Sequence, residues 1–235
     1  MSEQHIMSAF DRDLQTIQGL MVKMGAMVEE AIRTSVTALE TSDLELAEKT
    51  RLGDKAIDAL EEEIKHETAR VIALRAPTAI DLRTILSVMT IGAQLERCGD
   101  LAKNIAKRTP LIAESTEIAG AFAMLRNFSG FIEKMVSDAL DAYIQRDVAA
   151  AEAIIRRDEE ADETYNTIFR SLLTHMMEDQ STITACMHLH FIAKNLERIG
   201  DHATGIAEQT IYRVSGELPD EDRPKVDVTD TAPKG

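Results

Sequence analysis

The sequence contains no tryptophan, and aromatic residues make up only 4% of its 235 positions. Glycine and proline are also scarce, at 11 and 5 residues, while alanine, leucine, isoleucine, glutamate and methionine are abundant. This composition is typical of helices and unlike that of sheet proteins with many tight turns. We therefore expect an all-α protein, and its hydrophobic share of 44% is enough for a sizeable core.

Cysteine and long apolar runs are nearly absent as well. The only two cysteines, Cys98 and Cys186, stand in unrelated neighbourhoods without a CxxC spacing, so we interpret both as small core residues rather than redox groups. No apolar run approaches the roughly 20 residues of a membrane span, and the first residues lack the apolar core of a signal peptide. We expect a cytoplasmic protein that associates with membranes only through partners.

Basic residues are clearly outnumbered. Lysine and arginine total 26 against 41 aspartates and glutamates, which gives a formal net charge of -15. This charge repels a phosphate backbone, and neither a long basic run nor an aromatic stacking surface offsets it. Direct nucleic-acid binding is therefore not expected, whereas a basic partner or metal cations suit the surface.

The apolar residues that are present follow a helical repeat. From Phe10 to Ala31 they recur at steps of three and four, which indicates one long packed helix. A polar turn and two prolines, Pro77 and Pro110, predict where helices end, and Thr78 with Asp81 resembles a capping box. Short turns favour antiparallel neighbours. The first half is thus predicted to form three helices, at about 8–40, 43–74 and 78–108.

The second half repeats the first. An offset of 104 places Met24 on Phe128, and past a later loop an offset of 101 places IGAQLERCGDLAKNI at 91–105 on IAKNLERIGDHATGI at 192–206. We therefore predict two tandem antiparallel three-helix bundles related by internal duplication. The predicted divisions are a first bundle at 1–110, a second at 111–215 and a disordered, proline-containing acidic tail at 216–235.

Acidic pairs four residues apart lie at matching positions in both halves. Such pairs share one helix face, where like charges cost roughly 0.2–0.5 kcal/mol. In the first half the two pairs lie equally far from the turn at Pro77, so antiparallel helices bring them together. A solvated acidic face would explain a single pair. The recurrence of both pairs at matching positions in the two halves instead favours two metal sites. The predicted metal ligands are Asp54, Asp58, Glu96 and Asp100, and Asp158, Asp162, Glu197 and Asp201.

Carboxylate oxygens without cysteine select hard cations such as magnesium, manganese, calcium or iron, with zinc also possible. Gly99 and Gly200 lie inside these helices, where glycine costs about 1 kcal/mol relative to alanine, so we expect close helix contact or backbone approach to a ligand. Arg97 and Arg198 are expected to neutralise neighbouring acids or to hold an anion. His202 is a further candidate ligand.

The residues also carry a family resemblance. LERCGD at 95–100, LERIGD at 196–201, a DxxxD pair one helix before each copy, PTAIDLR at 77–83 and IAEQTIYRVSGEL at 206–218 resemble the PhoU family of phosphate-signalling regulators. The resemblance covers about residues 8–217. It implies a homodimer of paired three-helix bundles, and it assigns multinuclear iron or zinc, or magnesium or manganese, to the eight carboxylates named above.

The resemblance also implies a function. Members are cytoplasmic negative regulators of the phosphate regulon and of phosphate uptake, and they couple the ATPase subunit of the high-affinity phosphate ABC transporter to a phosphate sensor histidine kinase. Two of the differences between the halves lie in or near the motif: Cys98 stands where the second copy has Ile199, and Lys103 stands where it has Thr204. We therefore expect the two metal sites to differ in affinity.

Two other interpretations remain open. A carboxylate-bridged di-metal enzyme on a helical bundle needs ExxH motifs on two helices, and Glu63 with His66 forms only one because the second half has Thr167 and Arg170 instead. A pure interaction module whose acidic patches hold no metal is the other alternative. The phosphate-loop, GxSxG and HExxH motifs are all missing, so we do not expect an enzyme.

Overall fold

The structure is a computed structural model that describes residues 2–113, 118 and 120–219, and these residues form helices and turns without any strand. The predicted all-α class is confirmed. The helices are α1 (Ser2–Thr41), α2 (Leu44–Arg75), α3 (Ala79–Ala106), α4 (Thr109–Ile112), α5 (Ala121–Gln145), α6 (Val148–Arg156), α7 (Asp158–Glu178) and α8 (Ile183–Ser215), with a short 3-10 helix at Gln180–Thr182 before α8.

The turns after α1 and α5 repeat each other. Each contains one residue in the left-handed region, Ser42 with φ 52° and Arg146 with φ 57°, and these positions are 104 residues apart. An aspartate follows each of them and caps the next helix: Asp43 Oδ1 accepts from Leu46 N at 2.9 Å, and Asp147 Oδ1 accepts from Ala150 N at 3.0 Å. The duplication seen in the sequence is therefore preserved in the local backbone.

The first bundle consists of α1, α2 and α3 and matches the predicted helices closely. The turn at Pro77 joins α2 to α3, and Thr78 takes the extended conformation of an N-cap residue. The predicted capping box is not formed, however, because the Thr78 side chain makes no capping hydrogen bond. Instead, the backbone N–H of Asp81 donates to the Thr78 carbonyl at 3.1 Å.

The second bundle repeats this arrangement with one difference. Its middle helix is divided into α6 and α7 at Arg157, whose backbone N–H is shared among the carbonyls of Ala153, Ile154 and Ile155. The Arg157 guanidinium donates to Asp138 Oδ2 on α5 at 2.7 Å. The equivalent stretch of α2, around Gly53, is continuous. A turn at Asp179 follows α7, which ends at Glu178.

The two bundles pack on each other through antiparallel helix pairs. Gln94 on α3 contacts His202 on α8, and Arg108, just after α3, contacts His188 on α8. Between α1 and α5, Arg33 donates to Glu133. One hydrophobic core runs through both halves. Cys98 and Cys186 are both free and buried, as expected of core residues. Within the described residues, no helix is long and apolar enough to span a membrane.

The predicted division into domains at 110 and 215 stays a prediction. The boundary between the halves falls in α4, and residues 220–235 of the predicted tail lie outside the described part of the chain.

Candidate functional site: two carboxylate clusters

The first cluster, defined as Asp54, Asp58, Glu96 and Asp100, lies between α2 and α3, which approach each other closely here. Gly99 makes this approach possible: a Cβ placed on it would lie 3.1 Å from Ile57 Cδ1 and 3.5 Å from Asp54 Oδ1. The predicted close helix contact at Gly99 is thus confirmed. Asp54 is only 5% exposed at its side chain, whereas Asp58 faces solvent.

A lysine lies inside the first cluster. The ammonium group of Lys103 on α3 donates to Asp54 Oδ2 on α2 and to Asp100 Oδ1 on its own helix. Burial alone would lower the pKa of Lys103, but the hydrogen bonds to Asp100 and Asp54 outweigh it and raise that pKa. The lysine is therefore a permanent cation that joins the two helices through their carboxylates.

Electrostatics place the remaining members in the same cluster. Burial raises the pKa of Asp58, and the negative charges of Asp54 and Asp100 raise it further. Burial also raises the pKa of Glu96, Arg97 opposes this rise, and Asp100, Glu61 and Asp58 add to it. The four carboxylates therefore interact with one another. This agrees with the equal distances of the two acidic pairs from the turn at Pro77, which predicted that they lie together.

The second cluster, defined as Asp158, Asp162, Glu197 and Asp201, lies between α7 and α8. Gly200 packs most tightly against α5 rather than α7, because a Cβ on it would lie 3.1 Å from Ile132 Cδ1 on α5 and 3.7 Å, an ordinary contact distance, from Ala161 Cβ on α7. Asp158 is the first residue of α7, and its Oδ1 accepts a hydrogen bond from Thr204 Oγ1 at 3.2 Å. Thr204 thus occupies the position that Lys103 has in the first half.

Glu197 is the buried carboxylate of the second cluster, with 8% of its surface exposed. Lys194 Nζ donates to Glu197 Oε1 at 2.7 Å and lies 5.1 Å from the centre of the Tyr165 ring. Burial raises the pKa of Glu197, the hydrogen bond from Lys194 opposes the rise, and Asp201 and Asp162 add to it. Glu197, Asp162 and Asp201 therefore interact, while Asp158 is bound to Thr204.

The clusters meet some requirements of a metal site and lack others. Their donors are carboxylate oxygens, which suit hard cations. Two buried oxygens, Asp54 Oδ1 and Glu197 Oε2, have no hydrogen-bond partner among the described residues. No three His, Cys, Asp or Glu side chains in the described ranges are arranged to hold one ion, however. The donor chemistry fits a cation, but in the first cluster Asp54 and Asp100 bind Lys103, and in the second Glu197 binds Lys194.

Residues flanking the clusters behave differently from one another. Arg97 is exposed and approaches its acids only loosely, with its Nε 3.5 Å from Glu96 Oε2 and its NH1 3.8 Å from Asp100 Oδ2. His202 Nδ1 lies 2.6 Å from Gln94 Oε1, so this ring joins the two bundles. His202 thus has a structural contact in the position where we considered it as a metal ligand.

The structure does not support the di-metal enzyme. Its single ExxH pair, Glu63 and His66, faces solvent, with the His66 side chain 78% exposed and its Nδ1 3.4 Å from Glu67 Oε1. Ligands of a di-metal enzyme in a bundle must point into the bundle interior.

Sequence reasoning missed the two lysines as cluster residues. It noted Lys103 only as a difference between the halves and did not consider Lys194. The signal was present in both cases, because Lys103 follows Asp100 by three residues and Lys194 precedes Glu197 by three. That spacing places opposite charges side by side on a helix.

The fold defines a class of all-α proteins built from a duplicated three-helix bundle, and comparison with known proteins identifies the family. The PhoU domain matches residues 21–109 and 125–210. A PhoU homolog of the phosphate-specific transport system from Rhizobium meliloti is 44% identical over 98% of both chains. The homolog from Caulobacter vibrioides is 41% identical over 96% of this chain and 98% of its own length.

Two solved structures of PhoU proteins have the same fold. PhoU from Pseudomonas aeruginosa superposes with a TM-score of 0.84 at 36% identity, covering 88% of this chain and all of the other. The phosphate transport system regulatory protein PhoU from Streptococcus pneumoniae gives a TM-score of 0.83 at 29% identity, covering 90% and 99% of the two chains. The chain belongs to the PhoU family.

Proposed function

We propose that this protein is a negative regulator of phosphate uptake and of the phosphate regulon. The observation that carries the proposal is the pair of carboxylate clusters, which occupy equivalent positions in the two halves of a PhoU fold. The PhoU relatives are named as accessory proteins of the phosphate-specific transport system, and the Streptococcus pneumoniae relative is named as its regulatory protein. These names support a role in regulating transport.

We further propose that the protein acts in the cytoplasm by binding rather than by catalysis. Its expected partners are the ATPase subunit of the phosphate ABC transporter and the phosphate sensor histidine kinase, and we expect it to act as a homodimer. Clustered carboxylates recognise arginine and lysine side chains as readily as metal ions, so the clusters are suitable docking surfaces for a basic partner. Phosphate status would then change which partner occupies them.

A divalent or trivalent metal, namely iron, zinc, magnesium or manganese, is part of this proposal. Asp54, Asp58, Glu96 and Asp100 would hold ions in the first half, and Asp158, Asp162, Glu197 and Asp201 would hold them in the second. A bound ion would supply positive charge that offsets carboxylate repulsion and could change which partner surface fits. The two unpartnered buried oxygens support this assignment, because a cation would offset the cost of burying them.

Elemental mass spectrometry tests the metal part of the proposal. The protein is purified without chelator or affinity metal, beside a variant with Glu96→Ala, Asp100→Ala, Glu197→Ala and Asp201→Ala. We expect stoichiometric metal in the wild-type protein and its loss from the variant. Equal metal content in both proteins, or none in either, would contradict a metal at these clusters while leaving the regulatory role to be tested separately.

Complementation tests the regulatory part. In a bacterium depleted of its own PhoU protein and grown in high phosphate, phosphate-starvation genes are expected to be expressed, and the wild-type chain should repress them again. An empty vector is the control, and immunoblotting confirms that the chain is made. Failure of a well-expressed chain to restore repression would contradict the proposed function.

A further inference from the structure

An open groove lies between α1 and α2 of the first bundle. Its volume is about 450 Å³, which falls within the roughly 300–1,000 Å³ of small-molecule sites. Its walls are mainly apolar and include Met27, Ala31, Leu46 and Ile57. We propose that this groove binds a small apolar anion, that is, a molecule with an aromatic or hydrocarbon body and one negatively charged group.

The hydroxyl groups that line the groove have partners inside the protein. Thr50 Oγ1 lies 2.9 Å from Thr34 Oγ1 and 2.9 Å from the Leu46 carbonyl oxygen. The Thr34 hydroxyl in turn donates to the Glu30 carbonyl at 2.7 Å. The body of a ligand therefore meets apolar groups rather than unsatisfied polar atoms, and its burial provides the driving force for binding.

Two lysines supply positive charge at the groove, Lys23 on α1 and Lys49 on α2. Both are exposed, and neither forms an ion pair or a side-chain hydrogen bond with another described residue. Glu30 also lines the groove, but its carboxylate is already paired with Arg33. Although the whole chain carries a formal charge of -15, this groove therefore favours an anionic group.

The second half shows what fills the same place when a side chain is available. Gly53 lines the groove, and a Cβ on it would have nothing within 4 Å. Its counterpart at the offset of 104 is Arg157. The Arg157 guanidinium donates to Asp138 Oδ2 at 2.7 Å and lies 5.0 Å from the centre of the Phe131 ring. In the second bundle, a linear side chain with a charged end thus occupies this place.

The surroundings of this place differ in charge between the halves. Lys23 and Lys49 correspond to Asn127 and Ala153, so the first groove has two cations that the second half lacks. The pockets between α5 and the helices α6 and α7 are lined instead by acids, namely Asp138, Asp141, Asp147, Glu160 and Glu163. The second half therefore holds its own cation, whereas the first half is suited to an external anion.

The size of the groove favours a small molecule over a protein partner. The groove follows residues 23–34 of α1, which is roughly 17 Å of helix at 1.5 Å per residue. A single side chain fills the equivalent place in the second half, whereas a helix with its side chains is about 10–12 Å wide. A narrow aromatic or chain-like anion is thus the occupant that fits the groove.

Two fluorescent probes with similar aromatic bodies test the proposal. Anilinonaphthalene sulfonate is an apolar anion, and phenylnaphthylamine is a neutral analogue that lacks the sulfonate. The full wild-type chain is titrated with each probe separately at constant ionic strength. We expect one site per chain for the anionic probe, and circular dichroism confirms that every protein compared is folded.

An exchange variant, Thr34→Asp with Gly53→Arg, gives the groove the pair that Asp138 and Arg157 form in the second half. The new side chain should fill the groove and weaken binding of both probes by about tenfold or more. The matched control is Gly130→Arg with Thr174→Asp, because both positions are exposed on helices and lie outside the groove. This control should bind both probes like the wild type.

A second pair of variants tests the charge. Lys23→Ala with Lys49→Ala should weaken binding of the anionic probe about tenfold and leave binding of the neutral probe unchanged, because only the sulfonate interacts with the lysines. Lys55→Ala with Lys107→Ala removes the same charge from two exposed lysines outside the groove. Its effect on the anionic probe should be much smaller, since salt screens distant charges.

Three results would overturn the inference: no binding of the anionic probe by the folded wild-type protein, equal binding by the exchange variant, or equal losses in the two lysine variants. Sedimentation of the wild type and the exchange variant separates a further possibility. A dimer that dissociates on the exchange would show that a second copy covers the groove, which would also overturn the inference. Repression of starvation genes is measured separately by complementation.

Discussion

At the scale of single residues, the glycines inside helices differ in how much space a side chain would have there. Gly25 on α1 is buried against Leu140 of α5, and a Cβ at Gly25 would overlap the Leu140 Cδ1 atom, whereas nothing lies within 4 Å of a Cβ at Gly53. The same substitution should therefore have different effects at these two positions.

We predict that Gly53→Ala stabilises the protein by up to about 1 kcal/mol, because alanine is the better helix former and meets open space. Gly25→Ala should gain less stability or lose some, because the added methyl group forces the buried Leu140 side chain to change its conformation and this offsets the gain in helix propensity. Urea unfolding followed by circular dichroism measures both changes. A Gly25→Ala variant stabilised as much as Gly53→Ala would contradict the close contact between Gly25 and Leu140.

Glu29 offers a pH test away from the two clusters. Burial raises its pKa, and the nearby charges of Glu133 and Asp141 raise it further, although a hydrogen bond with Ser137 opposes the rise. A carboxyl with a raised folded-state pKa binds more protons when folded than when unfolded, so its contribution to stability decreases as the pH rises above its ordinary value of 4.5.

We therefore predict that Glu29→Gln is more stable than the wild type at pH 7 and that the difference shrinks as the pH is lowered towards 4.5. Unfolding curves at several pH values test this expectation. A stability difference that is the same at every pH would show that the carboxyl charge is not responsible.

At this scale the sequence indicates which helix faces the eight carboxylates share and that Lys103 and Lys194 lie close to acids along their helices, but not the direction in which these lysine side chains point. Spacing along the chain placed the acids on helix faces, and equal distances from the turn at Pro77 placed two faces together. Whether a long flexible side chain such as Lys103 turns towards those acids depends on how α3 is rotated against α2. The sequence indicates the apolar face of a helix only to within about 100°.

At the scale of elements, the duplicated aspartate caps provide a direct comparison with an unused cap position. Asp43 and Asp147 each accept a backbone N–H, while Thr78 occupies an N-cap position without using its side chain. We predict that Asp43→Ala and Asp147→Ala each cost about 1 kcal/mol, whereas Thr78→Ala costs much less. Thermal unfolding of the three variants measures the difference, and equal losses in all three would contradict the observed capping.

The division between α6 and α7 shows where sequence prediction of elements ends. Arg156 and Arg157 are ordinary helix formers, and neither proline nor glycine marks the break. The interruption accompanies tertiary contacts of Arg157, which donates to Asp138 and lies 5.0 Å from the centre of the Phe131 ring. Local propensity contains no information about such contacts, so the sequence does not indicate this interruption.

At the scale of the whole molecule, duplication was readable but the packing of the halves was not. The sequence predicted two related bundles because apolar residues recur on apolar residues at a constant offset. It did not indicate that α3 pairs with α8, where His202 meets Gln94, or that α1 pairs with α5. Periodicity shows that a helix face is buried without identifying the helix that covers it.

The central claim is that regulation depends on the two carboxylate clusters and not on acidic charge in general. Its test uses bacteria depleted of their own PhoU protein that carry either the cluster variant with Glu96, Asp100, Glu197 and Asp201 changed to alanine, or a control variant. The control has four exposed glutamates outside the clusters, Glu48, Glu62, Glu152 and Glu178, changed to alanine.

The most direct measurement is expression of a phosphate-starvation reporter in high phosphate, with protein levels and helicity matched. We predict that the control variant represses the reporter like the wild type and that the cluster variant leaves it expressed. Full repression by a folded, well-expressed cluster variant would contradict the account.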